Sequence, residues 1–341
     1  MGELEPLPPD DAVEMYLQHR EPDLSEKTLQ NQRYRLNSFL VFCEEHDIDD
    51  LTQLTGRDLH RFRVWRRNGD GNHYGPVNAV SLKGILDTLR KFLEFAASVN
   101  AVEKGMREKV LMPEIDPEDE QREEMLEASR AERIIDFLDQ FRYASREHVI
   151  LALLWHTGMR LGALRSLDVG DFDRKEPALQ LRHRPESGTP LKNARRADRD
   201  IAVGAHYARV LEDYIDHHRH DVTDDHGRRP LITSEYGRLT ESPIRNTVYR
   251  WTQPCRIGEC PHDRDPKTCE WTNVSQLKQC PSARSPHGVR RGSITKHRKE
   301  GVPREVVSER VDASDEVLEK HYDQRSKRER MRNRRNLLEN I

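Results

Sequence analysis

Between Glu103 and Glu127 the chain carries Pro113, Pro117 and a dense run of acids, with amphipathic periodicity on either side. A stretch of that kind has little to bury and resists regular structure, so it predicts a linker over 103–127 joining two separately folded parts. With 341 residues in all, each part is long enough to build its own core. The chain is 34% charged, with a mean hydropathy of −0.92, and contains no apolar run that would span a membrane. The acidic, proline-rich N-terminus does not read as a secretory leader, and a cytoplasmic location is expected.

The first part, 8–102, reads as a small helical bundle. Asp10 can cap a helix that turns Val13, Tyr16 and Leu17 inward, and Ser25 starts a longer one with Leu29, Leu36, Leu40 and Cys43 at helical spacing. A third helix is expected from Thr55 to Arg67, with Leu59, Phe62 and Trp65. After the turn-rich Asn68–Asn72, a fourth places Ile85, Leu89, Phe92, Leu93 and Ala96 on one face. Lys27, Arg33, Arg35, Lys83, Arg90 and Lys91 suit a DNA backbone and equally suit a solvated helix face.

The second part, 128–325, opens on Ser129-Arg130-Ala131-Glu132, a capping-box pattern ahead of Ile134, Ile135, Leu138 and Phe141. Val149–Trp155 is apolar throughout and predicts a central buried helix that stops at Gly158 and exposes Arg160. Leu179–Leu181 and Asp200–Val203 alternate as strands do, joined by the basic loop Leu191–Arg196. A helix with Val210, Leu211, Tyr214 and Ile215 follows, then Leu231-Ile232, then a helix capped by Ser242 with Pro243 in its first turn. The fold class expected is therefore mainly α, with a small antiparallel β-sheet in the C-terminal domain.

The formal net charge of −3 does not advertise a nucleic-acid binder, but the signs are segregated: 114–127 is acidic and 325–335 basic. Arg greatly outnumbers Lys beside abundant acids, a balance that suits high salt. Within this background Thr157-Gly158-Met159-Arg160, Pro286-His287-Gly288-Val289-Arg290 and Tyr322 stand out by their order. His-x-x-Arg alone is unspecific, since it recurs at His60/Arg63, His206/Arg209 and His226/Arg229. The copy at His287/Arg290 lies downstream of the Gly158 turn, starts a segment after Ser285-Pro286, and precedes a tyrosine at the end of a short helical pattern. Two guanidiniums can grip one phosphate and neutralise the charge that develops on phosphorus, and a tyrosine hydroxyl attacks competently beside such a clamp. Taken alone, Arg160 also fits a helix-start arginine pairing with a neighbouring acid.

That order and spacing resemble the tyrosine recombinase (phage integrase) family over nearly the whole chain, haloarchaeal site-specific integrases in particular. The resemblance implies a core-binding domain over 8–102, a catalytic domain over 128–325, a C-shaped clamp on double-stranded DNA, and a homotetramer on DNA in which basic tails such as 326–341 dock on neighbours. It implies Tyr322 as nucleophile, forming a 3'-phosphotyrosyl link and freeing a 5' hydroxyl. Arg160 and Arg290 would hold the phosphate, His287 would act as acid/base partner, and Lys192 of the hairpin loop would serve as general acid for the departing oxygen. No cofactor is expected for this chemistry. Two positions depart from the family pattern. Arg310–Ser314 lacks the usual histidine or tryptophan, where Asp312 offers only an acceptor, and Ala163 stands where a glutamate often steadies the first arginine.

Cys255, Cys260, Cys269 and Cys280 crowd into the proline-rich insert 254–281, which also holds His262. Four thiols in a segment poor in apolar residues read as ligands of a structural Zn2+, whose closed tetrahedral shell would supply the order a core cannot. Reduced cysteines packed as small hydrophobes are the other reading. For the whole chain two rivals to a recombinase remain open: a catalytically weakened relative acting as a sequence-specific DNA-binding protein, and a zinc-stabilised scaffold.

Overall fold

The computed structural model describes residues 3–115 and 124–321, together with 328, 331 and 335. The chain divides into two compact units, Met1–Arg122 and Glu123–Ile341.

The first unit is helical among its described residues: α1 (Pro9–Arg20), α2 (Glu26–Glu45), α3 (Gly56–Asn68) and α4 (Ala79–Ser98). Polar caps set three of the starts. Ser25 Oγ accepts from Thr28 N–H, Thr55 and Asp58 form a reciprocal capping box, and Asn78 Oδ1 accepts from Ser81 N–H at 2.9 Å. The first helix corrects the expectation for Asp10: Pro8 is its N-cap and Pro9 fills the first turn, where a missing N–H costs nothing. Asp10 sits one position inside, beside the positive end of the helix. The inward stripe of α4 is as expected, with Ile85, Leu89, Phe92, Leu93 and Ala96 all buried. Phe62 meets Phe39 and Phe42 edge to face, each at a ring distance of 5.4 Å. Of the stretch 103–127 read as a linker, Met106 and Val110 belong to this core and Leu126 to that of the second unit; 116–123 lie outside the described residues.

The second unit is built on α6 (Arg146–Thr157), buried from His148 through Trp155. Around it lie α5 (Ala128–Phe141), α7 (Leu161–Ser166), α8 (Ala205–Asp213, running into a π turn at Tyr214–His218), α9 (Glu241–Trp251) and α10 (Pro286–Lys299). The chain then adds α11 (Arg304–Val311) and α12 (Asp315–His321). Strands β1 (Phe172–Asp173), β2 (Ala178–Leu181) and β3 (Arg199–Ala202) form an antiparallel sheet in that order, with Leu179 opposite Ile201 and both buried. A second, two-stranded pair, β4 (Thr233–Ser234) and β5 (Gly237–Arg238), follows.

Three local expectations differ. α5 starts at Ala128 behind Glu127, so Ser129 lies inside the first turn and makes no capping bond. Phe141, placed inward by periodicity, is 60% exposed because the helix ends there and the chain turns away. α9 is capped at Thr240, with Ser242 already helical. No described helix is long and apolar enough to cross a membrane.

One face of α10 governs how the candidate site is assembled. Gly288 and Gly292, one turn apart, let the backbone of 124–126 lie directly on the helix: Leu126 N–H donates to Gly288 O at 3.0 Å, and a Cβ at Gly292 would stand 2.0 Å from Leu126 O. Neither residue was singled out from sequence, although their Gly-x-x-x-Gly spacing is the signal that would have found them.

Candidate active site

Three segments of the second unit converge on one spot. The first is the turn between α6 and α7. Gly158 takes a left-handed conformation (φ 64°), its N–H reaching Leu154 O, and Arg160 becomes the N-cap of α7. A side chain on Gly158 would press on Val311 and Ser293, so the turn also needs glycine for space. The second segment is the loop between β2 and β3, with Lys192 and Asn193 exposed in its turn. The third is the start of α10, where Ser285 Oγ accepts from Gly288 N–H at 3.1 Å, Pro286 occupies the first turn, and His287 and Arg290 follow.

Arg290 is only 2% exposed. Its Nη1 donates to Gly158 O and to Val311 O, each at 2.7 Å, and so ties the Arg160 turn to the end of α11. Arg160 is ion-paired with Asp312, whose two oxygens also accept from Asn193 Nδ2 at 3.0 and 3.1 Å. Arg199, on β3, donates from Nε to Arg310 O at 2.9 Å. Partial burial and the charges of Arg290, Arg291, Lys192 and Arg160 push the His287 pKa down to about 4, although the residue is open to solvent. The same perturbation shows that Lys192 and both arginines stand within electrostatic reach of His287. Burial likewise pulls Arg199 down to about 10; Asp312 opposes that shift and Arg290 and Arg160 add to it.

Arg160, Lys192, His287 and Arg290, separated widely in sequence, thus share one cationic locality, while Tyr322 lies outside the described residues. Asn193 and Arg199 were not anticipated. Arg199 occupies a polar position of a strand that alternates, and nothing local marks it as turned toward the cluster rather than toward water. Among the basic residues of the first unit, Arg33 pairs with Glu14 and Arg35 donates to Thr88 Oγ1.

The cysteine insert is only partly gathered. Burial pushes the Cys255 thiol up, Arg256 opposes this, and Cys260 and Cys280 add to it, so these three lie near one another. Among the described residues no three of the cysteine, histidine or acidic ligand atoms of the insert fall within 4.8 Å of one another. His262 Nε2 is engaged with Ser282 Oγ at 3.0 Å. The thiols are free and the donor type suits zinc, but their spacing here is wider than a closed shell.

The family profile described as "Phage integrase, N-terminal SAM-like domain" matches residues 14–100. The N-terminal domain of a phage integrase/site-specific recombinase from Haloarcula marismortui is 34% identical, covering 32% of this chain and 99% of that one, with a TM-score of 0.30. The Tn1549 transposon integrase, solved in complex with a circular intermediate DNA, is 13% identical over 97% of this chain and 99% of that one, with a TM-score of 0.66. A lambda integrase dimer bound to a COC' core site is 14% identical over 95% of this chain and 79% of that one, with a TM-score of 0.64. No curated protein sequence matches the chain. With an integrase profile on the first unit and the integrase fold across both, the chain belongs to the tyrosine recombinase (phage integrase) family.

Proposed function

We propose that the protein is a site-specific recombinase that cuts and rejoins double-stranded DNA in the cytoplasm, working as a homotetramer assembled on its site, with Tyr322 as nucleophile. The observation that carries the reading is the convergence of Arg160, Lys192, His287 and Arg290 on one locality from three separate segments. In the reaction Tyr322 Oη attacks the scissile phosphorus and loses its proton. The bond to the 5' oxygen breaks, and that oxygen takes a proton from Lys192. His287, its pKa pushed down to about 4, is neutral at pH 7, the form that can accept the tyrosine proton. Arg160 and Arg290 offset the negative charge gathering on the nonbridging oxygens. The phosphotyrosyl link preserves the bond energy, so rejoining needs no nucleotide and no metal takes part in the transfer.

For the insert we propose a structural Zn2+ held by Cys255, Cys260, Cys269 and Cys280, which would buttress the His287 region without taking part in strand transfer. Closing a tetrahedral shell requires sulfurs about 3.8 Å apart, as follows from Zn–S bonds of about 2.3 Å, so binding would draw the insert together.

The function is tested by covalent capture. A randomised pool of duplexes nicked on one strand is incubated with the protein, treated with detergent, and recovered by protein-linked DNA. Wild type should yield an adduct mapping to Tyr322, and Tyr322→Phe should bind the recovered duplex without forming one. Tight, salt-dependent binding by both proteins with no adduct from either would replace the recombinase with a DNA-binding relative.

A further inference from the structure

The Asp312 carboxylate joins two of the three segments of the candidate site, and the carbonyl just before it is bound by the third, though a carboxylate is itself unable to donate to a phosphate. Its backbone is left-handed (φ 55°, ψ 62°), a conformation aspartate tolerates better than most residues. The carbonyls just before it are anchored, Val311 O by Arg290 Nη1 at 2.7 Å and Arg310 O by Arg199 Nε at 2.9 Å. The carboxylate is therefore delivered by a fixed turn. Its side chain is 14% exposed, against 28% for Arg160.

From this geometry we infer that Asp312 is a positioning residue, aiming the Arg160 guanidinium and, through Asn193, holding the Lys192 loop in register with it. An arginine at a helix N-cap has a long, flexible side chain, and α7 offers it no acid one turn on, because that place is Ala163. The carboxylate that restrains it comes instead from 152 residues downstream. The ion pair runs through Nη1, and among the described residues no acceptor meets Nε or Nη2 of Arg160, which leaves the guanidinium an edge suited to a phosphate. The same carboxylate takes Asn193 Nδ2 on both oxygens, and Asn193 is the immediate neighbour of Lys192. One anion thus sets the distance between the phosphate clamp and the residue assigned to the leaving group.

The inference rests on the recombinase reading, and it competes with one alternative: that Asp312 is an internal anion blocking the site until DNA displaces it. The two differ in sign. Asp312→Asn tolerates the left-handed backbone and removes the charge, while Asp312→Gly relaxes the backbone and removes the side chain. A nicked duplex recovered by wild type in the capture selection serves as probe. Positioning predicts that both variants bind it as tightly as wild type or slightly more tightly. Capture at saturating DNA should fall by roughly 10- to 100-fold, the scale expected when a catalytic group is displaced by about 1 Å. In the Arg160→Ala background, Asp312→Asn should cost much less than it does in wild type, because only the part that passes through Asn193 and the Lys192 loop is left to lose. A purely structural role for the turn would instead give additive losses and a lowered urea midpoint. Faster capture by either variant, unchanged capture, or additivity with Arg160→Ala overturns the inference and leaves the recombinase reading standing. Failure of wild type to capture any duplex overturns both.

Discussion

Gly292 is the position at which the packing of α10 can be tested most directly. It lies two residues beyond Arg290, and a methyl group there would stand 2.0 Å from Leu126 O and 2.9 Å from the Trp155 ring. An ordinary C···O contact is about 3.3 Å, so the two chains would have to separate by more than 1 Å. The neighbour cannot yield freely. The 124–126 segment is held by Leu126 N–H to Gly288 O at 3.0 Å and by Arg284 Nε to Met125 O at 3.1 Å. Overpacking of this kind costs about 1–3 kcal/mol, each hydrogen bond lost about 1 kcal/mol more, and alanine returns about 1 kcal/mol through helix propensity. With one or both of those bonds lost, Gly292→Ala should therefore destabilise the second unit by about 1–4 kcal/mol. It should also depress covalent capture, because the displaced helix carries His287 and Arg290. Urea unfolding followed by tryptophan fluorescence is the assay, since Trp155 lies at the contact. Gly170→Ala is the control, because nothing lies within 4 Å of the added methyl. If the two variants unfold at the same midpoint, the close approach of 124–126 to α10 is refuted.

Acid should weaken the second unit before any carboxylate titrates. His148 and His156 are pushed down by burial to about 4 and about 3; Asp139 partly opposes the shift at His148 and Arg310 adds to that at His156. Both are neutral in the fold, so the stability they contribute is fully present above the unfolded pKa of about 6.5 and is lost as pH falls toward their folded values. At most these shifts are worth about 3 kcal/mol for His148 and about 5 kcal/mol for His156, and urea midpoints measured at pH 7, 6 and 5 should fall steadily; a flat profile over that window would contradict the assignment. For the insert, protein purified under reducing conditions should carry about one zinc per chain by elemental analysis, and a chelator should lower the melting temperature of the second unit. Metal-free protein with an unchanged melting temperature would remove the zinc site.

Features fixed by near neighbours were legible in the chain. The stripe of α4, the uninterrupted apolar run of α6, the Gly158 turn that presents Arg160, the alternation of β2 and β3, and the start of α10 at Ser285-Pro286 each depend on contacts within a few residues. Helix starts were less legible, as Glu127 and Thr240 show: both helices begin without a side-chain cap, so no capping residue marks the boundary to within one or two positions. What the sequence could not convey is which of many arginines goes to which partner. Arg228, Arg238 and Arg184 resemble DNA-facing residues, yet they close on Asp168, with Nε of Arg228 at 2.7 Å, and Arg184 also pairs with Asp171. Arg290, proposed above to face the phosphate, is also buried, and its Nη1 holds two turns together through their carbonyls. Guanidiniums are chemically identical, so their assignment is made by long-range packing that brings one acceptor within reach and excludes the rest. The same holds for Asp312. As a letter in place of a histidine or tryptophan it counts as a loss, but placed against Arg160 and Asn193 it becomes the group on which their alignment depends.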